Sequence, residues 1–120
     1  MSATRYTVRI AHTSEYPDPI TFRQGELLMV GDRYQGSQAW NDWFFCRTET
    51  HDGGWVPLQI IEPIDAATAR AREDYSAREL TVAEGERLTA LKTLNGWAWC
   101  AREGTRDIGW VPLENLTAID

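Results

Sequence analysis

Three blocks in the first half of the sequence return in the same order in the second half. Pair by pair, they are Gly25-Glu26-Leu27-Leu28 with Gly85-Glu86-Arg87-Leu88, Trp43-Phe44-Phe45-Cys46 with Trp97-Ala98-Trp99-Cys100, and Gly54-Trp55-Val56-Pro57-Leu58 with Gly109-Trp110-Val111-Pro112-Leu113. The third pair is identical letter for letter. Recurrence of this kind indicates that one structural unit is built twice. The chain is therefore a duplication, and we expect both copies to adopt the same fold.

The blocks place the two copies at residues 1–62 and 70–120, with a linker at 63–69. This linker has no Gly/Ser run of the kind found in flexible tethers. Asp65 is positioned to cap a single helical turn through the alanines that follow it. Because the connection is short, we expect the two domains to touch.

Each copy consists of short apolar runs separated by turn residues. In the first copy, strands are predicted for Tyr6 to Ala11, Leu27 to Val30, Trp43 to Thr48 and Trp55 to Val56. Asp52-Gly53 is a favoured hairpin pair, and Glu103-Gly104 takes its place in the second copy. No segment has a convincing helical period. Each copy is therefore predicted to be an all-β unit of about five strands.

Charge and composition exclude several classes of function. The net charge is −6 and the basic residues are scattered singly, which argues against a nucleic-acid or anionic-membrane surface. No apolar run approaches the length of a membrane span. The first ten residues contain no apolar region of a secretory signal. We therefore expect a reduced, cytoplasmic protein.

The repeated blocks resemble the SH3 (Src homology 3) family over nearly the whole chain. Ala71-Arg72-Glu73-Asp74-Tyr75 is similar to the Ala-Leu-Tyr-Asp-Tyr opening of that family. Trp97-Ala98-Trp99-Cys100 stands where the family has a Trp pair, and Gly109-Trp110-Val111-Pro112 resembles the strand before its short 3₁₀ turn. The resemblance implies two SH3-like five-stranded small β-barrels in tandem, similar to small bacterial tandem variant SH3 proteins.

The resemblance also implies a shallow groove for Pro-rich segments in the polyproline II conformation. On the first copy the groove positions of the family fall on Ile10, His12, Trp43, Trp55, Pro57 and Ile60. On the second copy they fall on Glu73, Tyr75, Trp97, Trp110, Pro112 and Asn115. Each copy keeps two aromatic residues and the proline of the groove but lacks two or three of the family's tyrosines.

SH3 domains usually carry acidic residues on the long RT loop, where they pair with a basic residue of the ligand. By resemblance these acids are Glu15 and Asp18 in the first copy and Glu79 in the second. Only four residues separate Tyr75 from Leu80, about three fewer than usual for the family. We therefore expect a truncated specificity pocket in the second copy.

Aromatic residues also alternate along one strand of each copy. With a side-chain period of two, Trp97 and Trp99 share a face, as do Trp43 and Phe45. If Cys46 and Cys100 point into their cores, these aromatic pairs point outward. Such a surface suits a seal between the two barrels, a peptide-binding face, or a crystal or oligomer contact.

Metal binding and catalysis find no support in the sequence. Cys46 and Cys100 lie at equivalent positions of separate cores, so we interpret them as buried small residues rather than a disulfide. His12 and His51 have no third ligand at metal spacing. No nucleophile elbow, Walker loop or zinc-protease motif is present. We expect neither a cofactor nor an enzyme.

Three functional hypotheses follow. The first is a binding or adaptor module that recognises a peptide or protein partner, with a Pro-rich segment as one candidate. The second is binding of carbohydrate or cell-wall peptidoglycan, which exposed Trp side chains would favour. The third is a structural subunit whose aromatic surface is covered by a partner or by its own second copy.

Overall fold

A computed structural model describes residues 4–14, 18–34 and 43–119. The prediction of an all-β chain is confirmed, since these residues form strands, turns and two 3₁₀ turns, Leu58–Ile60 and Leu113–Asn115. The strands are β1 Thr4–Val8, β2 Thr21–Phe22, β3 Leu27–Arg33, β4 Trp43–Arg47, β5 Gly54–Pro57, β6 Ile61–Pro63, β7 Thr68–Ala71, β8 Tyr75–Ser76, β9 Arg87–Leu94, β10 Trp97–Arg102, β11 Ile108–Pro112 and β12 Leu116–Ile119. In the part of the chain that is described, no helix is long and apolar enough to cross a membrane.

The chain divides into two compact units that do not coincide with the two repeats. One consists of residues 18–77, which we call the continuous unit. The other combines residues 1–17 with residues 78–120, and we call it the split unit. The continuous unit is therefore inserted between two segments of the split unit.

The split unit contains a five-stranded sheet in the order β11-β10-β9-β1-β12. Strand β1 pairs antiparallel with β9, where Tyr6 lies opposite Leu88, and with β12, where Tyr6 lies opposite Ala118. The first strand of the chain thus fills a position between two strands of the second repeat.

The continuous unit contains a five-stranded sheet in the order β5-β4-β3-β7-β6, with a separate β2-β8 pair. Strand β7 has the position that β1 has in the split unit. It pairs with β3, where Leu28 lies opposite Ala69, and with β6, where Ile61 lies opposite Ala71. The two repeats have therefore exchanged their opening strands.

This exchange differs from the domain boundaries expected at residues 62 and 70, and the linker supplies the physical reason. Residues 64–67 form the turn of a hairpin between β6 and β7, in which the Asp65 carboxylate accepts hydrogen bonds from the N–H groups of Ala67 and Thr68, both at 2.9 Å. Pairing across a four-residue turn costs little loop-closure entropy. Asp65 therefore stabilises the turn of a hairpin rather than the helical turn expected from the sequence.

Both main sheets are open, with β11 and β12 as the edges of one and β5 and β6 as the edges of the other. The sheets are therefore five-stranded and open, rather than the small β-barrels expected from the sequence. Alternating apolar residues of each sheet face its core. In the split unit the buried cluster consists of Val8, Leu80, Val82, Leu88, Ala90, Ala98, Cys100, Val111 and Leu116.

The two cysteines are free and fully buried, Cys46 in the continuous unit and Cys100 in the split unit. Their expected location inside two separate cores is confirmed. Burial raises the pKa of Cys46 to about 12 and that of Cys100 to about 11. Both thiols are therefore protonated near neutral pH, which makes them poor nucleophiles.

Candidate functional site

The exchange of strands redistributes the residues that the sequence placed in two grooves. Ile10 and His12 belong to the first repeat, but they lie in the split unit with the second-repeat residues Trp97, Trp110, Pro112 and Asn115. Glu73 and Tyr75 lie in the continuous unit with the first-repeat residues Trp43, Trp55, Pro57 and Ile60. Each candidate groove is therefore composed of side chains from both repeats.

His12 is the centre of the split-unit arrangement. Its backbone exchanges two hydrogen bonds with Val82, at 3.0 and 2.8 Å. Its ring Nε2 lies 2.8 Å from Glu79 Oε1, and its ring meets that of Trp97 edge-on, with 5.7 Å between centroids. The His12 and Glu79 side chains are only 11% and 8% exposed. Their hydrogen bond is therefore well shielded from water and holds the imidazole against the indole.

Asn115 attaches the N-terminal segment to the second 3₁₀ turn. Its side-chain Nδ2 donates to the carbonyl oxygens of Ile10 and Ala11, at 3.2 and 3.3 Å. Its own carbonyl accepts from the N–H groups of Arg9 and Ile10. The amide thus takes the place of a groove tyrosine and fixes the backbone on which Ile10 is displayed, with the Ile10 side chain 49% exposed.

The expectation of outward-pointing aromatic pairs is only partly met. Cys46 and Cys100 are buried, as assumed, but Trp97 is 9% exposed and Trp43 of the continuous unit 4%. Trp99 is half-buried and lies 5.1 Å, centroid to centroid, from Trp110, which is itself buried. The exposed apolar surface is therefore smaller than the alternation along the strand predicts.

In the continuous unit the predicted groove positions are mostly part of the packed interior. Trp43, Pro57, Ile60 and Tyr75 are all buried. The Tyr75 hydroxyl donates to the carbonyl oxygen of Trp55 at 3.1 Å. Trp55 is half-buried and packs against the rings of Tyr34 and Phe45, with centroids 5.1 and 5.3 Å away.

Of the three acidic residues expected on the RT loops, the structure describes Asp18 and Glu79. Glu15 lies outside the described residues. Asp18 is in the continuous unit, where its side chain is 92% exposed and its Oδ2 lies 3.5 Å from His51 Nε2. Glu79 is in the split unit, bonded to His12. The two described acids therefore belong to different units.

His51 is a residue whose role the sequence did not reveal. Its Nδ1 accepts from the N–H of Gly53 at 2.9 Å, so in the neutral ring the proton is on Nε2. Nε2 then donates to the carbonyl oxygen of Asp18 at 2.8 Å. The ring thereby links the turn before β5 to the segment that leads into β2.

The short spacing between Tyr75 and Leu80 also has a structural explanation. Strand β8 ends at Ser76 in the continuous unit, and the chain enters the split unit at Arg78. There the N–H of Leu80 donates to the carbonyl oxygen of Trp110 at 3.0 Å. The segment connects the two units, and the truncated specificity pocket expected from its length stays a prediction.

Among residues 4–14, 18–34 and 43–119, no group of three or more His, Cys, Asp or Glu side chains is arranged to hold a metal ion. What these arrangements offer is a set of apolar surfaces and hydrogen-bonding groups suited to binding.

Residues 11–64 match the family model of the variant SH3 domain. The match covers a little under half of the chain and follows the first repeat rather than a structural unit. Searches of curated proteins and of solved structures give no match. A variant SH3 domain indicates a binding or adaptor role in general, and SH3 domains are generally non-catalytic.

Proposed function

We propose that the chain is a non-catalytic binding module and that the split unit carries its working groove. The observation that carries this proposal is the joint placement of His12, Trp97 and the half-exposed Ile10 on a backbone held by Asn115. The partner is a peptide or a protein segment, and an extended Pro-rich segment is the first candidate. Such a segment loses little entropy on docking because it is already extended.

We further propose that both units are SH3-type, although the family model matches only the first repeat. Two observations support this. The three sequence blocks recur in both repeats, and the strands of the two main sheets follow equivalent orders. The chain would then be a tandem of two SH3-type units with exchanged opening strands.

The continuous unit is assigned a supporting role in this proposal. Its groove positions Pro57, Ile60 and Tyr75 are buried, whereas their counterparts in the split unit, Pro112, Asn115 and His12, are half-buried. Trp43 and Trp97 are buried in both units and do not distinguish them. The difference at the other three positions supports a structural role for the continuous unit and a binding role for the split unit.

Titration of the intact chain with Pro-rich peptides, followed by NMR at the six Trp indole signals, tests the proposal. We expect shifts at Trp97, with Kd in the micromolar range or weaker because the groove is shallow. Substitution Ile10→Asp should abolish them. Leu91→Asp is the matched control, since Leu91 is similarly exposed in the same unit. Binding that survives Ile10→Asp, or shifts at Trp43 and Trp55 alone, would contradict the assignment.

A further inference from the structure

The continuous unit has an apolar cleft of about 160 Å³ that none of the predicted groove residues lines. Val30, Phe44 and Ala69 contribute to it from β3, β4 and β7. Leu58 of the first 3₁₀ turn and Asp65 of the β6–β7 turn also line it. The cleft is thus a separate feature from the site described above.

The exchange of strands supplies one wall of this cleft. Asp65 and Ala66 line it from the turn that joins β6 to β7. In the split unit the corresponding strands are β12 and β1, which are far apart in the sequence, so no turn joins them. Among the described residues, the wall formed by the turn therefore belongs to the continuous unit.

Its size and lining fit one apolar group. An apolar protein cavity of about 150 Å³ holds a single benzene molecule, so this cleft has room for one aromatic ring or branched aliphatic side chain. Leu58 in its wall is 44% exposed, and Ile64 beside it in the turn is 53% exposed. Exposed apolar side chains gathered at a concave surface are typical of an interaction site.

Charge identifies the kind of group that accompanies the apolar side chain. Hydrogen bonds from the Ala67 and Thr68 N–H groups hold the pKa of the Asp65 carboxyl below its usual range, so it is ionised at neutral pH. The continuous unit has ten acidic and five basic residues, a net charge of −5, whereas the split unit has a net charge of −1. Arg33 lies 5.9 Å from the Phe44 ring centroid, which places a cation at the Phe44 end. A positive group of a ligand is favoured at the Asp65 end.

We propose that this cleft is a second ligand site, which binds an apolar side chain flanked by a basic residue in a peptide or protein partner. The apolar side chain enters between Leu58 and Phe44, and the basic group lies at the Asp65 carboxylate. This site does not depend on the split-unit groove, and either can fail without the other.

NMR titration of the full chain with three acetylated, amidated tripeptides, Lys-Phe-Lys, Gln-Phe-Gln and Glu-Phe-Glu, tests the site. We expect shifts at the amides of Phe44, Ala66 and Thr68, with Kd in the millimolar range. At low salt the Lys peptide should bind at least about threefold more tightly than the Gln peptide, and the Glu peptide more weakly than either, because screening is small there. Equal affinities, or shifts confined to other residues, would overturn the proposal.

Two variants separate the charge from the apolar wall. Asp65→Asn keeps an oxygen that accepts the turn hydrogen bonds and removes the charge, so the Lys and Gln peptides should then bind equally. Leu58→Ser should weaken all three peptides, whereas Leu91→Ser, at a similarly exposed leucine of the split unit, should leave them unchanged. If the Lys preference persists in Asp65→Asn, or Leu58→Ser binds as well as Leu91→Ser, the proposed site is wrong.

Discussion

His12 Nε2 lies 2.8 Å from Glu79 Oε1, although His12 belongs to the first repeat and Glu79 to the second. The two residues are neighbours because β1 and the segment after it join the sheet of the other repeat. This hydrogen bond therefore forms only if the strands are exchanged, and it is also part of the candidate groove.

Removing either partner of this pair is predicted to destabilise the split unit. The side chains are only 11% and 8% exposed, so His12→Ala or Glu79→Ala leaves a polar group with little access to water. Each change should lower the free energy of unfolding by about 1–3 kcal/mol. Urea unfolding measures this, and the double variant should cost less than the two single changes added together.

A surface ion pair between the repeats supplies the control. Arg5 lies 3.3 Å from Glu103, with both side chains about half exposed. Arg5→Gln should change the free energy of unfolding by less than about 0.5 kcal/mol. A loss as large as that of His12→Ala would show that burial does not set the energy of these pairs.

The stability of the split unit is predicted to fall in acid through Glu86. Its carboxylate accepts from the Ala83 N–H and pairs with Arg102, and these contacts lower its pKa. A group whose pKa is lower in the folded state stabilises the protein above its unfolded pKa and loses that contribution as the pH falls through its folded pKa. Glu86→Gln should therefore lower stability at pH 7, by at most about 1 kcal/mol because the pair is only partly buried and water screens it, and have no such effect at pH 2.

Glu26 offers a matched comparison for Glu86. It accepts from the Arg23 N–H in the equivalent turn of the first repeat, where Thr48 stands at the position of Arg102. Glu26→Gln should cost less stability at pH 7 than Glu86→Gln. If both variants lose the same free energy of unfolding in urea, the hydrogen bond within the turn accounts for the stabilisation, and Arg102 contributes nothing to it.

The two buried thiols are predicted to report separately on the two units. Burial raises the pKa of Cys46 to about 12 and that of Cys100 to about 11, so alkylation requires that the surrounding unit open. Pulses of iodoacetamide at increasing urea concentration, followed by peptide mass analysis, should label both residues only within unfolding transitions. Rapid labelling of either residue in native buffer would contradict the placement of that thiol in a core.

The continuous unit is predicted to fold without the rest of the chain. Residues 18–77 contain β2 to β8, and the two ends of this segment meet where Thr21 pairs with Ser76. Adjacent ends are the condition under which one domain is inserted into another. The isolated fragment should give a dispersed amide spectrum and a cooperative urea transition. A poorly dispersed amide spectrum from this fragment would mean that the continuous unit needs the split unit in order to fold.

The sequence predicts the strand content, the repeated blocks and the buried cysteines because each of these features depends on a local pattern. It does not predict the exchange of β1 and β7, since Val8 and Ala71 are both apolar and either fits beside the last strand of either repeat. Burial of Trp43 and Trp97 was missed for a related reason. Alternation assigns a side chain to a face of a strand, but it does not show what later covers that face.

The most direct test of the account is the set of interstrand NOEs from β1 in the intact chain. Exchanged strands predict backbone contacts from Tyr6 to Leu88 and Ala118, together with contacts from Ala69 to Leu28. Contacts from Tyr6 to residues of β3 and β6 instead would show that each repeat keeps its own opening strand, and the composite groove of His12 and Trp97 would then be wrong.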